Sequence, residues 1–340
     1  MFKTASYLTA HKRFFLTTII GTALALLLVL SVSTANGQTA PGAGSGLKVS
    51  PVRTDLTINP GESKTITIQV ENVTAKGRDF KAIINDFVAG DNELGQPALI
   101  LDEDKFAPSH SLKRYIADVQ DVNIPAGQKK DIKVTVKIPK DAAGGGYYGA
   151  VRFIPADEGK GQNITLSASV GSLILVKVPG DIKESLALTS FDVRRGERGI
   201  TGSKFFTTNK DLYAVARFTN QGNIHEQPFG KVVVKKGDKI IQTVDINKTD
   251  PKGNVLPDST RRFEVKLDKI GAWGKYTVEG NFGYGTSGQL LSGKSTIYVV
   301  PATLIIAIIA LLLLIVAAIF WLPRAIRRYN SNVVRKASRR

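Results

Sequence analysis

The residue types that most often carry chemistry are scarce in this chain of 340 residues: it has no cysteine and only three histidines, His11, His110 and His225. Without cysteine there is no disulfide framework, thiolate metal site, iron–sulfur cluster or cysteine nucleophile. His110 and His225 fall in separate predicted loops, with no base-to-nucleophile arrangement beside them. No G-x-S-x-G elbow, H-E-x-x-H pair or Walker loop occurs. Asp102-Glu103-Asp104 clusters three carboxylates, which suits a hard cation such as Ca²⁺. It lacks the alternating spacing and glycine of an EF-hand loop, so a solvated acidic turn is the first reading. Gly144-Gly145-Gly146 lacks the Lys-Ser/Thr and the helix that a phosphate loop needs, and reads as a flexible hairpin entrance to the strand that follows. Asn72-Val73-Thr74, Asn163-Ile164-Thr165 and Asn247-Lys248-Thr249 fit the glycosylation sequon, which has force only in a eukaryotic secretory pathway. Tyr147, Tyr148, Phe153, Phe205, Phe206, Trp273 and Tyr276 are aromatics that either line a glycan-stacking face or, more simply, fill a core. The expectation is a protein that is not an enzyme, with no catalytic residue, cofactor or metal, and with unknown binding residues. A carbohydrate-active enzyme, needing only two acids across a groove, stays open as an alternative.

The elements that position these residues are strands. TITIQV (65–70), DIKVTVKI (131–138), YYGAVRF (147–153) and TRRFEVKL (260–267) alternate with period two and are punctuated by turn residues. Pro60-Gly61, Pro125-Ala126-Gly127 and Pro257-Asp258 each open such a strand, because Pro fixes φ and Gly or Asp supplies the next bend. A second echo joins VENVTAKGRDFKAIIND (70–86) to FTNQGNIHEQPFGKVVV (218–234): a strand ends at Asn, a polar loop follows, and a strand starts at Phe. Many short strands with repeated phrases predict two consecutive immunoglobulin-like β-sandwich domains, 47–180 and 181–300. The apolar run 163–178 ends the first, and 194–204 is an expected exposed loop.

The ends read differently. Lys3, Lys12 and Arg13 precede an apolar run from Phe14 to Val32, and Ser33 and Ala35 follow at the spacing a signal peptidase accepts. Residues 1–35 are therefore an expected signal peptide, cleaved near Ala35 or Ala40, with an uncleaved signal anchor as the alternative; 36–46 is a flexible linker. After Pro301, the run 302–322 has no charge, and its 21 residues cover about 31 Å, enough for a bilayer core. The tail 323–340 carries seven Lys+Arg and no acid, which predicts a cytoplasmic tail and an extracellular 36–300. The formal charge of +17, from 46 Lys+Arg and 29 Asp+Glu, thereby shrinks: leader and tail removed, 36 bases face all 29 acids. That residue of charge gives a modest attraction to anionic polymers and removes the case for nucleic acid.

Signal peptide, two sandwiches, one span and an Arg-rich tail form a layout that resembles the WxL-interacting proteins of Gram-positive cell surfaces. The local text is similar too: Pro60-Gly61 into TITIQVEN, Ile138-Pro139 before GGGYYGAVRF, LYAVARFTN (212–220), Leu256-Pro257-Asp258-Ser259 before RRFEV, and Gly274-Lys275-Tyr276-Thr277. The chain departs from the family in having only VRTDLTIN (52–59) where a longer segment with a Pro-Glu-Asn-Gln-like phrase usually stands. The resemblance implies a non-enzymatic, membrane-anchored scaffold of the cell membrane. Its first domain would contact cell wall (peptidoglycan), and its other partners would be surface proteins of the WxL type or a host ligand. An accessory single-pass subunit of a secretion or transport complex is the rival expectation.

Overall fold

The computed structural model describes residues 46–156, 169–199 and 201–337. The expected signal peptide, the linker up to residue 45, the start of the apolar run at 163–168 and Asn163 lie outside them. In the N-terminal half, β1 (Leu47–Ser50), β3 (Ser63–Asn72) and β7 (Lys129–Lys137) form one antiparallel sheet. It faces a second sheet of β2 (Arg53–Thr57), β9 (Val170–Val178), β8 (Gly145–Pro155), β4 (Arg78–Ala89) and β5 (Pro97–Leu99), in that order, with β6 (Val122–Ile124) also on β4. The alternation fixes which face is inward: Ile68, Val70, Val134 and Val136 are fully buried, and each contributes roughly 2 kcal/mol of transfer free energy. Their outward neighbours pair across the strands instead, Thr65 with Thr135 at 2.9 Å and Gln69 with Asp131 at 3.1 Å.

The C-terminal half repeats the plan. β10 (Leu186–Arg195), β12 (Leu212–Asn220) and β15 (Ser259–Lys266) form one sheet. The other is ordered β11 (Phe205–Phe206), β17 (Gln289–Val299), β16 (Gly274–Tyr284), β13 (Phe229–Lys236), β14 (Lys239–Ile246). In both halves a short second strand runs parallel to the last one, β2 with β9 and β11 with β17, while the other pairings are antiparallel. Each half has its own core: Phe80, Val151, Phe153 and Ile174 in the first, Phe218, Val278, Phe282 and Ile297 in the second.

β17 passes through Pro301 into α1 (Ala302–Ala337), which runs on through the basic segment that begins at Pro323. Its stretch Ala302–Arg324 is long and apolar enough to cross a membrane, and no part of it is buried against the rest of the chain. A core helix would be covered; this one is not.

Candidate functional site

The longest irregular segment of the N-terminal half lies between β5 and β6, and one carboxylate organises it. Asp86 on β4 is fully buried; its oxygens accept the Ala107 N–H at 2.9 Å and the Lys113 N–H at 2.8 Å, and its carbonyl accepts the Ile100 N–H. Leu112 and Ile116 then seat the segment on β8, where Gly149 makes room: a Cβ there would lie 3.1 Å from that of Leu112. The result holds Phe106, 44% exposed, under two cations, with Lys113 Nζ 5.0 Å and Arg114 Cζ 4.6 Å from its ring centre. Lys113 is itself fixed by the carbonyls of Glu103 and Lys105.

Phe106, Lys113, Arg114 and Asp118 wall an open groove of about 480 Å³ floored by Ala82 and Ile84 of β4. Along this floor β4 has β8 on one edge; its other edge pairs with β6 at 78–80 and with β5 at 87–89. Between those stretches no strand covers it among the described residues, and the Ala82 N–H is taken by the Asp121 carboxylate at 3.0 Å. The groove thus combines an aromatic plane, two cations, a carboxylate and, around Ile84 between the bonded Ala82 N–H and Asp86 carbonyl, a short strand edge that no described strand covers. Neither Phe106 nor Arg114 was singled out by sequence; an isolated Phe between Lys105 and Ala107 carries no period.

The residues that sequence did single out are elsewhere. Asp102 makes a turn, accepting from Asp104 N at 3.0 Å and pairing with Lys105 at 3.0 Å; the Lys105 ammonium first, and that N–H second, hold its carboxyl below the usual range. Among the described residues no group of three or more His, Asp or Glu could hold a metal ion. Asn72 is fully buried and bonded to the Lys76 and Ile124 carbonyls, and Asn247 bonds those of Pro228 and Gly253, so both sequons are turn anchors. Of the seven aromatics, Tyr148, Phe153, Phe206 and Tyr276 are core, and Tyr147 packs edge-on against Tyr115. Phe205 and Trp273 are not: they are 70% and 69% exposed.

Gly144-Gly145-Gly146 is not a loose hairpin entrance, as expected, but a tightly packed joint between the halves. The Asn223 carbonyl, from the loop after β12, accepts the Gly146 N–H at 2.7 Å, and its amide reaches Gly144 O at 3.2 Å and Asp181 O at 2.8 Å. A Cβ on Gly144 would lie 2.6 Å from Asp181 N, and one on Gly146 2.1 Å from the Tyr148 hydroxyl. His110 and His225, distant in sequence, meet on either side of Tyr148, each ring centre 5.8 Å from its own. His110 Nδ1 bonds Gly146 O at 2.6 Å, and the Tyr148 hydroxyl lies 3.4 Å from His225 Nδ1. Burial lowers His225 to about 4 and pushes Tyr148 up; burial, and then Glu184, push Glu226 up to about 7. On the far side of the joint Arg262 N donates to Glu93 O at 2.9 Å, and Arg217 pairs with the Glu93 carboxylate. Leu256 packs there against Phe87, Tyr148 and Leu175.

The groove and its supporting strands fall within one known family unit. Residues 54–155 match the WxL Interacting Protein, peptidoglycan binding domain. That is a binding-domain family, not an enzyme class, and the resemblance read from the sequence is thereby shown over this segment. The peptidoglycan binding domain match takes in β4, β8, Asp86, Phe106 and Arg114, and stops before β9 and the second half. No curated protein matches the chain. Among solved structures, the chain is similar to the class 5 fimbriae chaperone CfaA, at 14% identity over 75% of this chain and 99% of that one, TM-score 0.34. It is similar to the E. coli chaperone DraB at 12% identity, 75% and 96% coverage and TM-score 0.33. A PapD-like domain of human CEP192 follows at 12% identity, 44% and 96% coverage and TM-score 0.30. Similarities this distant carry no argument about what the chain does.

Proposed function

We propose that this chain is a non-enzymatic protein of a bacterial cell surface, held by α1 in the membrane and holding peptidoglycan through the Phe106 groove of its first sandwich. The observation that carries the reading is the family match over 54–155, which encloses the groove. In this reading the two sandwiches, 47–180 and 181–300, are separate domains, the tail after Pro323 is cytoplasmic, and partner surface proteins bind outside the groove.

The groove favours the peptide part of the polymer. An extended peptide stem can add to the open edge of β4 by main-chain hydrogen bonds. Arg114 and Lys113 offer charge-assisted bonds to stem carboxylates, Asp118 faces amines, and the Phe106 ring covers an apolar face. The test is cosedimentation of the full chain, in detergent, with wall stripped of its anionic polymers. F106A and R114A are each expected to weaken retention about tenfold, the loss of one good contact in a small site. Wall treated with an amidase, which removes stems and leaves glycan, should no longer retain the wild type. Unchanged retention of F106A/R114A by intact wall would overturn the groove as the site.

A further inference from the structure

Phe205 and Trp273 expose large aromatic planes on a chain whose other singled-out aromatics are buried or half-buried, and both lie where α1 leaves the sandwich. β11 runs beside the end of β17: Tyr298 N donates to Lys204 O at 2.7 Å, Val300 N to Phe206 O at 2.9 Å and Ala302 N to Thr207 O at 3.3 Å. The first residue of α1 is therefore tied to Thr207, two positions from Phe205. Phe205 stacks on Tyr298, ring centres 5.2 Å apart and planes at 18°. Trp273 immediately precedes Gly274, which pairs with Val299, and Lys236 Nζ sits 5.6 Å from its ring centre. Two residues of strand span about 7 Å, comparable to the headgroup layer that lies outside the hydrocarbon core on each side of a bilayer.

The charge at this end has one sign in excess. Segments 204–210, 236–239 and 266–275 hold seven lysines and two aspartates. Indole and phenyl rings partition to the headgroup level, and lysines near an anionic leaflet each add attraction. Both aromatics flank the strand that leads into α1, Phe205 on Tyr298 and Trp273 next to the partner of Val299.

We propose that the α1-proximal end of the C-terminal sandwich, through Phe205, Trp273, Tyr298 and the lysines at 204, 236 and 275, seats on the anionic lipid headgroups of the membrane that α1 enters. This rests on α1 being a membrane span. The sandwich then stands on the bilayer at a set height and tilt, in place of swinging on a free tether; the direct β17–Pro301–α1 connection, with no linker, suits such a seat.

The chain has two tryptophans, Trp273 and Trp321, one near each end of the apolar stretch, which makes the two readings separable. Full-length W321F and W273F are reconstituted in vesicles of phosphatidylglycerol and phosphatidylcholine whose acyl chains are brominated close to the glycerol backbone. With the seat in place, Trp273 emission in W321F is quenched by the bromolipid and shielded from aqueous iodide. Replacing one lysine by glutamine, as in K275Q, lowers the ratio of seated to unseated protein about fivefold. Bromolipid quenching of Trp321 with Trp273 left open to iodide would overturn the seat and leave the anchor standing. Absence of quenching at both would overturn the anchor and the seat with it. F205S, at an exposed position, should keep the wild-type thermal midpoint in detergent while losing the shielding of Trp273; shielding unchanged in F205S and K275Q alike would also overturn the seat.

Discussion

The two halves of the strand-built region turn the same corner with the same residue and then use it differently. At the end of β3 the Asn72 amide bonds the Lys76 and Ile124 carbonyls, and its oxygen accepts the Thr74 N–H. At the end of β12 the Asn220 amide bonds the Ile224 and Val255 carbonyls, and its oxygen accepts the Gly222 N–H. Both side chains are buried, at 0% and 1% exposure, and every polar atom of each is satisfied. After Asn72 the chain stays with its own sandwich, Val73 N bonding Gly46 O, and Val73 is exposed. After Asn220 the next three residues carry Asn223 into the glycine run of the other half, and Ile224 is buried. A corner is thus one side-chain amide that joins its own turn to a carbonyl from a distant segment of the same half. Whether its loop becomes a joint depends on a platform elsewhere that has given up its side chains.

Breaking the corners should give the largest effect. N72A and N220A each strand two or three buried backbone groups, and each is expected to cost about 3 kcal/mol in denaturant unfolding of the solubilised chain. If only N220A is costly, the corner is not the stabilising unit and the joint is. Breaking the joint alone comes next. G146A forces the Tyr148 hydroxyl to move, and N223A removes three side-chain hydrogen bonds at once while leaving the backbone bond to Gly146 N–H. Each is expected to lower stability by about 2 kcal/mol and to broaden the distance distribution between labels placed on the two halves. The matching changes in the free loop, V73A and K76A, should stay within about 0.5 kcal/mol.

The smallest effect is a matter of pH, and it comes from His225 and Glu226, shortly after Asn223 in the docked loop. His225 titrates near 4 when folded, so it contributes stability above its ordinary pKa of 6.5 and loses that contribution as pH falls toward 4. Glu226, raised to about 7, does the opposite: its contribution is present below 4.5 and fades as pH rises through 7. The neighbours therefore offset each other between roughly pH 5 and 7. H225Q should gain about 1 kcal/mol over the wild type at pH 5.5 relative to pH 8, read from thermal midpoints, and E226Q should change with pH in the opposite sense. Parallel profiles for H225Q, E226Q and wild type would mean that neither group titrates across folding.

Much of this is legible in the sequence itself. Period-two runs such as 131–138 must bury one side, and Pro125-Ala126-Gly127 and Pro257-Asp258 open strands wherever they occur, so β7 and β15 could be read directly. The echo of VEN and FTN turned out to be the pair of asparagine corners. The joint was not legible, because three consecutive glycines look the same whether they move freely or are pressed against Asp181 and Asn223. Nor was the groove: it depends on Asp86 reaching Ala107 and Lys113, contacts of more than twenty residues that leave no spacing signature. Phe205 and Phe206 illustrate the limit most simply. Adjacent in sequence and identical in type, they point to opposite faces of a two-residue strand, one exposed and one in the core.

The direct run of β17 into α1 also has a mechanical side. Tension on a chain held at both ends would enter the C-terminal sandwich at Leu186, beside the joint, and leave at Val299, at the opposite end of the strands. β17 is bonded to β16 over eleven residue pairs, from Tyr284 with Gln289 to Gly274 with Val299. A pull along the strand axis loads those bonds side by side, in shear, where a pull across it would open them one at a time like a zipper. The sandwich is therefore strung as a load-sharing clamp, and force must defeat the whole ladder before any part of it yields.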